Sequence, residues 1–187
     1  MGLRLFIAIL PNETVRRALA GCEESLKGAA LRGSFTRPEN LHLTLAFIGE
    51  SDRAADVRRA MEKAVQTADS GRFTLSVGGP GRFRREGGDI FWVGVRENPA
   101  LFRLQRSLSL VLGEAGFHLE GAQFTPHLTI ARRVVMPSGF VPDQTVFYAD
   151  HPLLLQVDSI SLMRSERVDG RLTYTPVASL PLPGRDA

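Results

Sequence analysis

The sequence predicts an α+β fold, with antiparallel or mixed sheets and helices packed outside them. Three observations lead there. Hydrophobic periodicity gives strands and helices in an order with few strict strand–helix–strand crossovers, which argues against a parallel sheet. A four-residue phrase occurs twice, as His42-Leu43-Thr44-Leu45 and His127-Leu128-Thr129-Ile130, which suggests two similar halves facing a shared site. The 187 residues are 43% hydrophobic and 23% charged, ordinary values for a globular chain able to bury a sizeable core. One domain over residues 1–187, built as two lobes sharing a core, fits this length.

The elements follow in order. Leu3 to Leu10 is rich in Ile, Leu and Phe and ends at Pro11, so it reads as a buried strand. Asn12 is a good N-cap for a helix from Glu13 to about Lys27, with Val15, Leu19, Cys22 and Leu26 at helical spacing. Ser34 to Arg37 is a short strand, and Pro38-Glu39-Asn40 a turn into the first His strand, Leu41 to Ile48. Gly49 to Asp52 ends that strand and caps a helix from Arg53 to about Ala68. Phe73 to Val77 alternates as a strand. Gly78 to Gly88, rich in glycine and arginine, reads as a loop or loose hairpin. Ile90 to Val95 is a buried strand. Asn98-Pro99 opens a helix to about Ala115. Phe117 to Phe124 is a short strand or turn, and His127 to Ala131 the second His strand. Met136 to Asp150 is irregular. Leu153 to Met163 is one long strand, and Arg164 to Arg171 a polar hairpin loop turning at Asp169-Gly170. Leu172 to Leu180 returns, and residues 183–187 fray.

Successive side chains of a strand point to opposite faces, so His42 and Thr44 share one face while Leu43 and Leu45 share the other. His127 and Thr129 stand likewise against Leu128 and Ile130. On composition, a given His is followed by apolar-Thr-apolar about 1% of the time, and two of four do so roughly once in two thousand sequences. The pattern therefore calls for a reason.

Composition removes several classes. Cys22 is the only cysteine, so an internal disulfide, a Cys-rich zinc site and a CxxC redox pair are excluded. No apolar run reaches membrane-span length, and Arg4 and Pro11 interrupt any signal-like stretch, so the cytoplasm is the expected compartment. Net charge is +3, and Lys27 and Lys63 are the only lysines among 23 basic residues. Arg suits forked recognition of phosphate, so this balance permits a nucleic-acid partner without requiring one.

Two imidazoles across a cleft suit general acid and general base catalysis, since the ordinary histidine pKa of about 6.5 lets one be neutral and the other protonated. Phosphodiester hydrolysis needs that division of labour. Its transition state also needs fixed donors, which Thr44, Thr129 and Arg132 can supply. Metal is the competing use of two His. No HxH, no HExxH and no carboxylate two residues away accompanies either phrase, so metal-free chemistry with no cofactor is expected.

The two phrases resemble the signature of the 2H phosphoesterases. Their surroundings are similar to the RNA 2′,3′-cyclic phosphodiesterase branch, also described as 2′-5′ RNA ligases. The carrying segments are Arg4 to Ala8, Pro38-Glu39-Asn40-Leu41 running through the first phrase to Gly49, and Thr125-Pro126 running through the second to Arg132. The resemblance implies a bilobal fold with a pseudo-twofold axis and a central cleft holding both His. It implies hydrolysis of RNA 2′,3′-cyclic phosphate ends to 2′-phosphomonoesters, with His42 as proton donor and His127 as acceptor. Arg132 has the wrong strand parity to join His127 and Thr129, whereas Arg133 has the right one. Either a bulge turns Arg132 into the cleft or Arg133 touches the phosphate; the family pattern favours Arg132.

Two other classes stay open: a phosphodiesterase or ligase acting on another small cyclic phosphate or cyclic nucleotide, and an RNA-end-binding protein that only grips a terminal phosphate. A monomer is the default. Elsewhere the plainer readings hold. His118 and His151 read as surface residues, Phe47 as core by its parity with Leu43 and Leu45, Trp92 as core because its strand is strongly apolar, and Arg82, Arg84 and Arg85 as a solvated loop sooner than a track for an RNA backbone.

Overall fold

The computed structural model describes residues 3–119 and 123–184. Nine strands and three α-helices form among them: β1 (Leu3–Ile9), α1 (Glu13–Ala29), β2 (Arg32–Phe35), β3 (Leu43–Ser51), α2 (Ala54–Ala68), β4 (Phe73–Phe83), β5 (Asp89–Val95), α3 (Pro99–Glu114), β6 (His127–Val135), β7 (Leu153–Val157), β8 (Ser159–Val168) and β9 (Arg171–Pro181). A 3₁₀ turn, Pro38–Asn40, precedes β3. The expected turn at 117–124 falls partly on residues 120–122, and the frayed end partly on 185–187, both outside the described residues.

The α+β class holds. All strand pairings are antiparallel, in the order β7-β4-β5-β6-β3-β1-β8-β9, with β2 added on β6. The two expected sheets are the halves β7-β4-β5-β6 and β3-β1-β8-β9. They join through one residue pair, Leu43↔Leu128, and so count as a single sheet. These two leucines are also equivalent positions of the repeated phrase. A pseudo-twofold axis through that bridge therefore exchanges the halves. Past the bridge β3 leaves β6, and β2 takes over the vacated flank at Ala131, Arg132 and Val135.

The sheet is strongly curled. β7 and β8 sit near opposite ends of the strand order, yet only Asp158 separates them in sequence. Two Cα steps span at most about 7 Å, so the sheet must bend back on itself to bring those strand ends together. The single strand expected over Leu153 to Met163 is thus two, one for each half.

One face of the sheet carries the core. Leu5, Ile7 and Ile9 of β1, Leu43 and Leu45 of β3 and Leu128 and Ile130 of β6 pack in one cluster with the buried stripes of all three helices. α1 contributes Val15, Leu19, Cys22 and Leu26, and its cap is the Asn12 side chain, which accepts from the Val15 N–H at 2.9 Å. Asn98 caps α3 the same way, accepting from Ala100 and Leu101, with Pro99 in the first turn. Residues of the opposite parity on β1 and β8 form a separate small cluster: Phe6, Ala8 and Met163, with Leu10 and Tyr174 against them. That second face is where the site lies.

β4 runs on through the expected glycine-rich loop to Phe83. It bulges at Gly78–Gly79, where its register on β5 jumps from Val77↔Val95 to Pro80↔Val93. β7 pairs only with Phe73 to Val77, so Pro80 lies where the outer side of β4 has no strand partner among the described residues, and its missing N–H breaks no ladder bond there.

Candidate active site

Leu43↔Leu128 sets the geometry. Both leucines point into the core at 0% exposure. Their neighbours His42, Thr44, His127 and Thr129 therefore stand on the other face. In an antiparallel pair, residues flanking such a bridge lie opposite one another, so His42 faces Thr129 and Thr44 faces His127. The imidazoles occupy the diagonal of this quartet, a spacing of about 7–8 Å between backbone positions. The structure thus brings together the four residues that the repeated phrase singled out.

Each imidazole is held in the same way. The Nδ1–H of His42 donates to the Asn40 carbonyl oxygen at 2.7 Å, and that of His127 to the Thr125 carbonyl oxygen at 2.6 Å. A carbonyl can only accept, so Nδ1 must carry the proton and Nε2 remains for chemistry. Aromatic rings pack around both. Phe6 lies 4.9 Å and Tyr174 5.1 Å from His42, ring centre to ring centre. Phe83 lies 5.1 Å and Trp92 5.5 Å from His127.

These surroundings set the acidity. Burial disfavours the imidazolium and pushes the pKa of both residues below the usual histidine range. The carbonyl bonds to Asn40 and Thr125 oppose that shift. The Arg132 guanidinium adds to it at both rings, and the charge of His127 adds to it at His42.

A pair of matched bulges resolves the parity of Arg132. On β1, the partner of Thr44 is Ala8 and that of Ala46 is Ile7, which leaves Leu45 unpaired. On β5, the partner of Thr129 is Trp92 and that of Ala131 is Phe91, which leaves Ile130 unpaired. Each extra residue shifts the alternation by one. Leu45-Ala46 and Ile130-Ala131 both stay buried, and the next residue, Phe47 or Arg132, turns to the histidine face. Arg132 and not Arg133 therefore joins the quartet. Arg133 takes a left-handed φ of 52° where β6 kinks again.

The same bulge overturns the core reading of Phe47, which is 62% exposed beside Phe6. Phe47 occupies in one half the place that Arg132 holds in the other, so the site is apolar on the His42 side and cationic on the His127 side. Trp92 is half-buried against His127 and not in the core. His118 and His151 are exposed, as expected.

Sequence reasoning passed over Phe6, Asn40, Phe83 and Tyr174. Phe6 carried a usable signal, being an aromatic on the non-core parity of a buried strand. Tyr174 and Phe83 become neighbours of His42 and His127 only through strand order, which no local pattern encodes.

Among the described residues, no three His, Cys, Asp or Glu side chains converge as a metal-holding group. A groove of about 750 Å³ lies elsewhere, lined by Arg82, Arg84, Arg85, Val134, Met136 and Phe140 among others. It includes none of the quartet, and Arg82 is ion-paired to Asp89 at 3.5 Å. No helix among the described residues is long and apolar enough to cross a membrane.

Comparison with known proteins gives a consistent picture. Residues 13–169 match the family model of the 2′-5′ RNA ligase superfamily. The RNA 2′,3′-cyclic phosphodiesterase of Thermus thermophilus is 31% identical over 191 residues, covering 97% of this chain and 91% of that protein. The protein of the same name from Geobacillus stearothermophilus is 30% identical over 96% of this chain, and the chain spans only 57% of its length. The crystal structure of Escherichia coli LigT complexed with 3′-AMP superimposes with a TM-score of 0.77 at 25% identity, covering 97% of this chain and 99% of that one.

Proposed function

The chain belongs to the 2′-5′ RNA ligase superfamily, and on that premise we propose that it hydrolyses RNA 2′,3′-cyclic phosphate ends to 2′-phosphomonoesters by metal-free two-histidine acid–base catalysis. The observation that carries this reading is the pair of imidazoles on one face, each with Nδ1–H committed to a backbone carbonyl and Nε2 left for a proton.

Water attacks phosphorus from the His127 side, and neutral His127 takes its proton at Nε2. The bond from phosphorus to the 3′ oxygen breaks. His42, protonated at Nε2, gives its proton to that oxygen and leaves a 3′-hydroxyl and a 2′-phosphate. The Thr44 and Thr129 hydroxyls donate to the non-bridging oxygens, and Arg132 offsets the charge that builds on them. Exchange with solvent then resets both rings. The dianionic transition state raises the proton affinity of both rings, so His42 gains its proton most readily when phosphate is bound.

The asymmetry of the site agrees with this direction. The leaving oxygen belongs to the ribose, so the nucleoside lies beside the acid. There Phe47 and Tyr174, backed by the buried Phe6 ring, offer an aromatic surface for a base. The names of the relatives and the 3′-AMP of the LigT complex support a nucleotide substrate. A small cyclic nucleotide would meet the same groups. On this reading the enzyme acts as a monomer in the cytoplasm.

The test is an RNA oligonucleotide ending in a 2′,3′-cyclic phosphate, incubated with chelator-treated protein. Accumulation of the 2′-monoester supports the proposal. Binding without turnover would favour an RNA-end-binding protein instead.

A further inference from the structure

We propose that Asn40 is a positioning residue for His42, its side chain clamping the exposed edge of β9 so that its own carbonyl oxygen stays fixed as the acceptor for the His42 ring. This inference rests on the reading of His42 as the proton donor.

Asn40 is a buried polar residue, 6% exposed, at the end of the 3₁₀ turn. Its Nδ2–H donates to the Leu172 carbonyl at 2.9 Å, and its Oδ1 accepts from the Tyr174 N–H at 3.2 Å. β9 ends the strand order, so among the described residues its outer backbone groups meet no further strand. The carboxamide bonds two of them as the peptide of a neighbouring strand would, sharing the Leu172 carbonyl with the Arg37 guanidinium, which donates to it at 2.6 Å. An amide carries, on two separate atoms, the donor and the acceptor that these two groups require. The clamp reaches His42 by two routes. The Asn40 carbonyl takes the Nδ1–H bond, and Tyr174, whose backbone is held, packs its ring edge-on to His42 at 90°. Among the described residues the other half shows no such device at the matching place, where Thr125, which accepts from His127, is exposed. Among the described residues the fold thus sets a buried amide behind one histidine only, the one that must aim its Nε2–H at the leaving oxygen.

The test measures turnover of a cyclic-phosphate dinucleotide together with ¹⁵N spectra of the histidine rings. In Asn40→Ala, kcat falls about 10- to 100-fold, as expected for a catalytic group displaced by about an ångström, while KM stays within about threefold because the phosphate donors are untouched. His42 loses its single Nδ1–H form, and His127 keeps its own. Asn40→Asp retains an acceptor for Tyr174 and loses the donor to Leu172, so its effect has the same direction. This near-isosteric variant decides the matter if the alanine protein does not fold. In the unsubstituted protein the His42 Nδ1 proton exchanges more slowly than that of His127. Folded variants with kcat within twofold and an unchanged His42 spectrum would overturn the inference, as would equal exchange of the two ring protons. His42→Ala separates the two layers. If that variant keeps full activity, the proton-donor reading falls. If it is inactive while both Asn40 variants turn over normally, only the role of Asn40 falls.

Discussion

Gly81 of β4 lies opposite Trp92 of β5, and the indole lies flat across it. A Cβ added at position 81 would sit within 3.0 Å of three carbons of the Trp92 ring, Cη2, Cζ3 and Cζ2. Ordinary carbon contacts are about 3.5–4.0 Å, so in Gly81→Ala the ring must retreat by about 1 Å or more. It has little room to do so. Phe83 lies 5.4 Å away and His127 5.5 Å away, ring centre to ring centre. Overpacking of this kind costs about 1–3 kcal/mol. For a chain of this size that lowers the melting temperature by about 2–12 °C. The retreat also pushes on His127, so kcat falls by up to about a hundredfold. Denaturant titration and turnover of a cyclic-phosphate dinucleotide measure the two effects. Pairing Gly81→Ala with Trp92→Leu removes the clash, so the double variant is more stable than the sum of the single changes requires. Gly81→Ala within 0.5 kcal/mol of the parent, the usual range of a surface change, would refute the reasoning.

The remaining expectations concern the proton traffic. His42→Ala and His127→Ala each lower kcat by on the order of 10²–10⁴-fold, measured under single-turnover conditions. The pH profile of kcat/KM is a bell, because the base must be neutral and the acid protonated. Both histidines are held below the usual range in the free protein, so the bell centres below about pH 6.5. Bound phosphate raises both, so the kcat profile lies at higher pH; coincident profiles would contradict this. Arg132→Met removes a positive charge that disfavours both imidazolium forms, so the kcat/KM bell moves to higher pH as KM rises, whereas Arg133→Met leaves the profile in place.

Much of this was legible in the residues, for physical reasons. The period-two alternation of the repeated phrase exposed the His/Thr face because one side of each strand is buried in a continuous core. The capping residues Asn12 and Asn98 placed two helix starts because cap chemistry is local. What local patterns miss was set by pairing with distant strands. The bulges at Leu45 and Ile130 shift parity, and alternation alone cannot register them. The consecutive buried pairs Leu45-Ala46 and Ile130-Ala131 were the visible hint. Pro80 and its flanking glycines read as a breaker because sequence does not tell that β7 stops short of them. Asp158 divides what reads as one long strand pattern because the chain crosses there between the halves. Asn40 reads as a turn residue unless β9 is known to lie beside it.

The central claim is that two imidazoles alone manage the protons around one phosphorus atom. The most direct measurement follows an RNA 2′,3′-cyclic phosphate end by ³¹P NMR with chelator-treated protein, alongside His42→Ala and His127→Ala. The account expects the cyclic resonance to give way to a 2′-phosphomonoester with the parent protein, and to persist with each variant. A 3′-phosphomonoester, loss of turnover on chelation, or near-full turnover by either variant would contradict it.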